Sequence, residues 1–155
     1  MDHPKTTPKD FFLHLLAVVT LYACASAFVT VLFQLVNLSI PDPLSNYDYE
    51  FVAAKSLLRN ALSFVIVMFP SYLVVAYFLN KDASKNPEKR HLRIARWLMF
   101  FTIFGTAVIL LGTLVSLVNY LLNGELTWRF GLKVLSIFVV AGGIHGYQLT
   151  LVKKQ

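Results

Sequence analysis

The sequence has little charge and almost no cysteine. Only 14% of its 155 residues are charged, whereas a soluble domain has about 25% charged residues. Hydrophobic residues make up 57% of the chain and the mean hydropathy is +0.63, which excludes an ordinary soluble domain and indicates an integral membrane protein. Cys24 is the single cysteine, so an internal disulfide and a metal site built from several cysteines are excluded.

Recognisable catalytic motifs are also missing. The chain has no HExxH, GxSxG, CxxC or phosphate-binding GxxxxGK[ST] pattern. No aspartate or glutamate lies inside any of the four apolar segments described next, so the intramembrane carboxylate that proton-coupled transporters use is absent. These absences predict that the protein is not an enzyme. They leave a channel, a uniporter or an anion path open.

Four long apolar segments make up most of the chain. A bilayer core about 30 Å thick is crossed by roughly 20 apolar residues that rise about 1.5 Å each along a helix. Segments of that length run over residues 11–40, 57–79, 97–122 and 132–152. They predict an all-α integral membrane protein with a single domain over residues 1–155, in which four transmembrane helices form an antiparallel up-down bundle.

The connections between the segments indicate the orientation, because short loops rich in lysine and arginine stay on the cytoplasmic side. Ten of the fourteen basic residues lie in the two tails and the second connection: Lys5, Lys9, Lys81, Lys85, Lys89, Arg90, Arg93, Arg96, Lys153 and Lys154. The eight acids divide evenly between the two sides. We therefore expect both termini in the cytoplasm, and a basic cytoplasmic face that contacts anionic lipid rather than nucleic acid.

The stretch LYACASAF, residues 21–28, permits two interpretations. Its small residues and Cys24 resemble the cleavage site of a bacterial lipoprotein, and Lys5 and Lys9 precede the apolar run. However, Tyr22 is bulky where a small residue is usual, and the apolar run continues well past Cys24. A signal-peptide core has only about 7 to 15 residues. We therefore favour a membrane-spanning helix.

Small and polar side chains recur in the first segment at steps of three and four, which keeps them on one helix face. They are Thr20, Ala23, Ala27, Thr30, Gln34 and Asn37, and we call them the Thr20–Asn37 seam. Lipid tolerates such a face poorly. Against another helix, small residues allow close approach and polar residues form hydrogen bonds. The seam therefore predicts a helix contact.

Two further segments carry similar patterns. The third has a stripe made of Thr102, Gly105, Gly112, Ser116 and Asn119. The fourth has Gly142 and Gly146 in a GxxxG arrangement. We interpret all three patterns as helix packing within the chain. The alternatives are that one stripe lines a water-filled path or meets another subunit.

Four basic residues on the outer side form two pairs, each four residues apart: Lys55, Arg59, Arg129 and Lys133. Ionisable residues near the membrane interior are the first candidates for function. We favour ion pairing with the nearby acids, which would close the outer end of the bundle while the long side chains reach the headgroups. The alternative is that all four converge into a basic pocket for a lipid phosphate or an anionic substrate.

His14 and His145 lie in the cytoplasmic halves of the first and fourth segments. Two imidazoles that face each other across a bundle can ligate a b-type haem, and the glycines around His145 would leave room for it. The interpretation that we favour is that each histidine bonds a neighbouring helix or headgroup. We therefore expect no metal and no cofactor, with haem b as the alternative.

Several short motifs resemble those of one bacterial family. They are FFLHLLAVVTLYA, IPDPL, NPEKR leading into RIARWLMFFT, and GELTWRFGLKVL. Together they resemble domain of unknown function 5671, a family of small four-helix membrane proteins. The resemblance implies a bacterial inner-membrane location. It implies no activity and assigns no functional residue.

Three function classes remain. The lack of catalytic residues and the short loops favour a non-catalytic multi-pass membrane protein that assembles with itself or serves as an accessory subunit of a larger membrane complex. A small oligomeric channel or transporter for an ion or small anion is the second class. A haem or quinone redox protein is the third.

Overall fold

The computed structural model describes residues 7–40, 47–85, 93–124 and 127–153. In these ranges the chain forms four α-helices and no strand. The helices are α1 (Pro8–Ser39), α2 (Tyr47–Lys85), α3 (Arg93–Leu122) and α4 (Trp128–Lys153). Each contains a stretch long and apolar enough to cross a membrane, which confirms the predicted all-α class and the four candidate spans. Among the basic residues assigned to the cytoplasm, Lys5, Lys89, Arg90 and Lys154 lie outside the described ranges.

The helices extend past the apolar segments that predicted them. α2 begins at Tyr47 instead of near Leu57, and α4 begins at Trp128 instead of near Leu132. A helix satisfies its own backbone hydrogen bonds, so it can continue beyond the hydrocarbon core into the headgroup region. Hydropathy therefore locates the apolar part of each helix and underestimates its length.

Residues next to the helix ends satisfy backbone groups that the helices leave unpaired. Before α1, the Thr7 hydroxyl accepts a hydrogen bond from the Asp10 backbone N–H at 3.3 Å, and the Asp10 carboxylate accepts one from the Thr7 backbone N–H at 3.2 Å. This reciprocal pair is a capping box. Before α4, the Thr127 hydroxyl accepts from the Phe130 N–H at 3.2 Å. After α3, Gly124 has a φ of +71°, a conformation that glycine adopts without steric cost and that ends many helices.

The other helices are arranged around α1. α1 packs most extensively against α2, then against α4, and least against α3, while α3 packs against α4. No Cα atom in the described part of α2 lies within 8 Å of one in α3 or α4, although the side chains of Tyr72 on α2 and Tyr147 on α4 lie near each other. α2 is therefore held mainly by α1, which leaves most of its surface uncovered and separates it from α4.

Small side chains fill the helix contacts, and large apolar side chains point outward. The buried core includes Ala27, Ala54, Ala61, Ala95 and Ala141. Thr102 and Thr106 are the largest side chains that are almost completely enclosed, whereas Ile66 and Phe104 are each 68% exposed. Small residues let helices approach closely in a membrane, and acyl chains would cover the outward apolar surface.

Candidate functional site

The Thr20–Asn37 seam lies on the side of α1 that packs against the other helices. Thr20, Ala27 and Gln34 are buried, and the remaining three members are half-buried. The Thr20 hydroxyl donates to the Leu16 carbonyl oxygen at 2.8 Å, so its hydrogen bond stays within α1. Gln34 and Asn37, at the other end of the seam, take part in the polar site described below.

The stripe predicted on α3 is divided between the interior and the surface. Thr102 is buried and Gly105 is half-buried, while Gly112, Ser116 and Asn119 are exposed. The face of α3 that packs against the chain instead carries Thr102, Thr106 and Thr113, which are 0%, 2% and 8% exposed. Since α2 does not pack beside α3, nothing in the described chain covers the second half of the stripe.

Tyr22 forms a close contact between α1 and α3. Its hydroxyl donates to the Thr102 carbonyl oxygen at 3.4 Å, and a Cβ built on Gly105 would lie only 2.6 Å from the same hydroxyl oxygen. The other glycines of the predicted patterns have open space at this position, with no atom within 4 Å: Gly112, Gly142 and Gly146. Gly142 is half-buried and Gly146 is exposed, so the GxxxG pair makes no tight contact in the described chain.

The two histidines have separate hydrogen-bonding neighbours. Nδ1 of His14 lies 2.8 Å from the carbonyl oxygen of Asp10, one turn earlier on α1. Nδ1 of His145 lies 2.9 Å from Oγ1 of Thr106, and this contact links α4 to α3. Within the described ranges, no group of three or more His, Cys, Asp or Glu side chains could hold a metal ion. A haem requires only two histidines, so the haem alternative stays a prediction.

The four basic residues do not come together. Arg129 and Lys133 line a partly open cavity of about 480 Å³, where α1 ends and α2 and α4 begin. Lys55 and Arg59 are exposed on α2 and are not among the residues that line this cavity. The Lys55 ammonium instead lies 4.2 Å from the centre of the Phe51 ring. The four-residue spacing placed each pair on one helix face but did not determine how α2 is rotated relative to α4.

Arg129 joins three helices at the polar end of the cavity. Its Nε donates to Oδ1 of Asn37 on α1 at 3.2 Å, and its Nη2 forms a 3.3 Å ion pair with Oε2 of Glu50 on α2. The Arg129 side chain is 18% exposed and that of Glu50 is 45% exposed. A hydrogen bond to a charged group contributes about 1.5 to 3 kcal/mol, whereas an exposed ion pair contributes about 0 to 1 kcal/mol. We therefore regard the bond to Asn37 as the stronger link.

The remaining polar groups of the cavity come from α1, from α4 and from the hydroxyls of Tyr49 and Thr127. Nδ2 of Asn37 donates to Oε1 of Gln34 at 2.9 Å. Lys133 is half-buried, and its Nζ lies 5.8 Å from the centre of the Phe33 ring. The site thus combines two cations, one carboxylate, two amides and two hydroxyls. This set can bind a charged group.

Two features were missed in the sequence. The contact of Tyr22 with α3 depends on the tertiary arrangement, which no local pattern reveals. On α2, three polar residues are exposed and lie on one face, namely Ser56, Asn60 and Ser63. Their spacing of four and then three residues is the signal that identified the other stripes, so it could have identified this one.

The chain is similar to a family that has no assigned chemistry. The model of the family described as Domain of unknown function (DUF5671) matches residues 10–147. No curated protein and no solved structure matches the chain. The matched range includes the cavity, the seam and the exposed polar residues of α2 and α3.

Proposed function

The chain belongs to the family described as Domain of unknown function (DUF5671), and from that premise we propose that it is a non-catalytic multi-pass membrane protein that assembles with further copies of itself. The family membership confirms the resemblance of its motifs. One observation carries the proposal of assembly. Two polar faces are exposed within apolar helices, on α2 and on α3, and these two helices do not pack against each other in one chain.

The two faces have the same layout. The α2 polar face consists of Ser56, Asn60 and Ser63, and the α3 polar face consists of Gly112, Ser116 and Asn119. All six residues are exposed. In both faces the spacing is four and then three residues, which keeps the members on one side of a helix. Hydrocarbon offers no hydrogen bonds, and a polar contact between helices contributes about 0.6 to 2 kcal/mol.

The two asparagines gain most from a partner. The hydroxyls of Ser63 and Ser116 already donate to backbone carbonyl oxygens one turn earlier, at 2.9 and 3.0 Å. The side-chain amides of Asn60 and Asn119 have no hydrogen bond to any residue that the structure describes. Each amide has both donors and an acceptor, so Asn60 of one copy can pair with Asn119 of the next.

The up-down topology would bring the two faces to the same depth. Two contacts support this topology. Arg129 at the start of α4 bonds Asn37 near the end of α1, as expected for antiparallel helices. His145 in the second half of α4 contacts Thr106 in the first half of α3, which indicates the same for that pair. The α2 polar face lies near the start of α2, and the α3 polar face lies near the end of α3. In an up-down bundle these two ends share one side. Because the two faces differ, each copy can bind the next copy in the same way. Such a series of copies closes into a ring when the rotation between neighbouring copies permits it.

The orientation of the bundle is part of the proposal. We place both termini in the cytoplasm and the protein in a bacterial inner membrane. The described basic residues at the cytoplasmic helix ends support this placement: Lys9, Lys81, Lys85, Arg93, Arg96 and Lys153. Anionic lipid is the partner expected at that face. We propose no cofactor and no nucleic-acid partner.

The mass of the full-length protein in detergent, measured by light scattering and by native mass spectrometry, tests the proposal. A single stoichiometry greater than one, retained on dilution, is expected. A clean monomer that carries nothing would contradict self-assembly. A stable complex with a different membrane protein would replace self-assembly with the role of an accessory subunit.

A small channel is the second candidate, and the same exposed asparagines favour it. If the polar faces line the axis of a ring instead of its contacts, the ring encloses a polar path. Flux of monovalent ions or small anions into proteoliposomes separates the two functions. A defined oligomer without flux supports the assembly function alone.

A further inference from the structure

We propose that the cavity between α1, α2 and α4 binds the phosphate headgroup of an anionic lipid, with the Lys133 ammonium as the counter-ion. The proposal is independent of assembly, because none of the residues of the α2 and α3 polar faces lines this cavity. Three observations support it: the direction of the hydrogen bonds at the polar end of the cavity, the Lys133 ammonium, which has no ion pair with a described residue, and the apolar residues among those that line the cavity.

The hydrogen bonds at the polar end run in one direction. A guanidinium has only donors, so the atom of Asn37 that meets Arg129 must be the oxygen, Oδ1. The amide nitrogen of Asn37 is then directed to Gln34, where it donates to Oε1 at 2.9 Å. Gln34 is left with Nε2, a group with two donors. The residue is 9% exposed and lines the cavity.

Gln34 and Lys133 therefore present donors to the cavity. No residue in the described part of the chain accepts a hydrogen bond from Nε2 of Gln34, and no ion pair joins Lys133 to such a residue. Glu50, the carboxylate of the lining, is already paired with Arg129. A site that offers ammonium and amide donors favours a ligand whose atoms accept, and the oxygens of a phosphate form short charge-assisted bonds with such donors.

Much of the remaining wall is apolar, beside the hydroxyl-bearing Tyr49 and Thr127, and this favours a ligand with an apolar part. The apolar lining consists of Leu38, Phe51, Ala53, Ala54, Leu57 and Phe130. A volume of about 480 Å³ lies within the range of about 300 to 1,000 Å³ that small-molecule sites occupy, and an inorganic ion would leave most of it empty. Because the cavity is partly open, acyl chains can extend from it into the bilayer.

The binding test uses the full-length protein in detergent, with phosphatidylglycerol, phosphatidylcholine, inorganic phosphate or glycerol phosphate added separately. We expect phosphatidylglycerol to raise the thermal unfolding midpoint and to stay bound in native mass spectra. Phosphatidylcholine and the two water-soluble phosphates should have much smaller effects. Lys133→Met should weaken phosphatidylglycerol binding about tenfold or more, because it removes a hydrogen bond to a charged group. Lys133→Arg should restore most of the affinity.

Lys55→Met is the matched control, since Lys55 is an exposed lysine near the start of α2 that does not line the cavity. The affinity of Lys55→Met for phosphatidylglycerol should stay within about twofold of that of the parent protein, whereas Lys133→Met should lose about tenfold because it removes a charged contact. Gln34→Leu should also weaken binding. If Gln34→Leu does not fold, the Lys133 variants carry the test, because Lys133 has no hydrogen bond in the described chain whose loss would unfold it.

Unchanged phosphatidylglycerol binding in Lys133→Met, or equal binding of phosphatidylglycerol and phosphatidylcholine, would overturn the proposal. Equal stabilisation by inorganic phosphate or glycerol phosphate would overturn the lipid as the source and assign the cavity to a soluble phosphate. The oligomer mass of Lys133→Met should equal that of the parent, which keeps this test separate from the test of assembly.

Discussion

The hydroxyl of Tyr22 on α1 lies over Gly105 of α3, so close that a Cβ on Gly105 would stand 2.6 Å from the hydroxyl oxygen. The same hydroxyl donates to the Thr102 carbonyl oxygen at 3.4 Å. α1 packs less extensively against α3 than against α2 or α4. This contact therefore provides an important part of the connection between α1 and α3, and it depends on the absence of a side chain at Gly105.

Gly105→Ala should lower the free energy of unfolding by about 1 to 3 kcal/mol, the range for overpacking a close contact. The loss should be smaller in a Tyr22→Phe background, where the obstructing hydroxyl is gone. Gly143→Ala is the control, because a Cβ there meets no atom within 4 Å and alanine favours a helix over glycine by about 0.5 to 1 kcal/mol. Chemical unfolding in mixed micelles measures all four variants. Equal effects at Gly105 and Gly143 would show that the Tyr22 contact has no energetic role.

Asn60→Leu and Asn119→Leu should each weaken association about 3- to 30-fold, which corresponds to the loss of about 0.6 to 2 kcal/mol from one polar contact between membrane helices. Asn80→Leu is the matched control, since Asn80 is exposed on α2 but lies outside the polar face. Sedimentation equilibrium in detergent gives the three association constants. If Asn80→Leu weakens association as much as the other two variants, the polar faces are not the contact.

A double-mutant cycle built from Arg129→Met and Asn37→Leu should give a coupling energy of about 1.5 to 3 kcal/mol between these residues. The reason is that the bond joins a charged donor to a half-buried amide. The corresponding cycle for Arg129 and Glu50 should give about 1 kcal/mol or less, since the Glu50 side chain is 45% exposed. Raising the salt concentration should reduce the second coupling and leave the first nearly unchanged. The reverse order of the two couplings would contradict the assignment of Asn37 as the main partner.

Thr106→Val should destabilise the protein by about 1 kcal/mol more than Thr30→Val. Both threonines donate to carbonyl oxygens of their own helices, but only Thr106 also contacts His145 on another helix, at 2.9 Å. Valine has nearly the same shape and lacks the hydroxyl, so the difference reports the loss of one hydrogen bond between helices. Thermal unfolding of the two variants side by side provides the comparison. An equal loss would mean that the His145 contact contributes nothing.

An absorption spectrum of the purified protein, produced in cells supplied with a haem precursor, should have no Soret band. His14 and His145 each have a hydrogen-bonding neighbour, which agrees with the structural role that we expect for them. A Soret band that disappears in both His14→Ala and His145→Ala would instead establish a haem protein with these two axial ligands.

The sequence predicted the four helices because a bilayer imposes a minimum length of apolar residues, and that length is visible in composition alone. It also placed the Thr20–Asn37 seam on one face of a helix, and the structure puts that face toward the other helices. It could not determine that the backbone of α2 lies close to α1 and not to α3 or α4. The position of a helix relative to its neighbours depends on tertiary contacts, which periodicity does not encode.

The same dependence on tertiary contacts explains why the sequence did not predict which basic residues line the cavity. Spacing showed that Arg129 and Lys133 share one helix face and that Lys55 and Arg59 share another. Only the first pair lines the cavity, because the rotation of α2 about its own axis is set by its packing against α1. The stripe on α3 has a similar outcome: Thr102 faces inward while Asn119 is exposed. Only a structure shows which neighbour covers each part of a helix.

Disulfide cross-linking in native membranes tests the proposed assembly most directly. In a Cys24→Ala background, Ser63→Cys and Ser116→Cys, which leave both asparagines in place, would be introduced singly and together, and the membranes would be treated with a mild oxidant. Contact of the α2 polar face with the α3 polar face predicts a ladder of covalent oligomers for the double variant, up to the size of the closed ring, and no more than dimers for either single variant. A double variant that stays monomeric under oxidation, in membranes where it is folded, would contradict self-assembly through these faces.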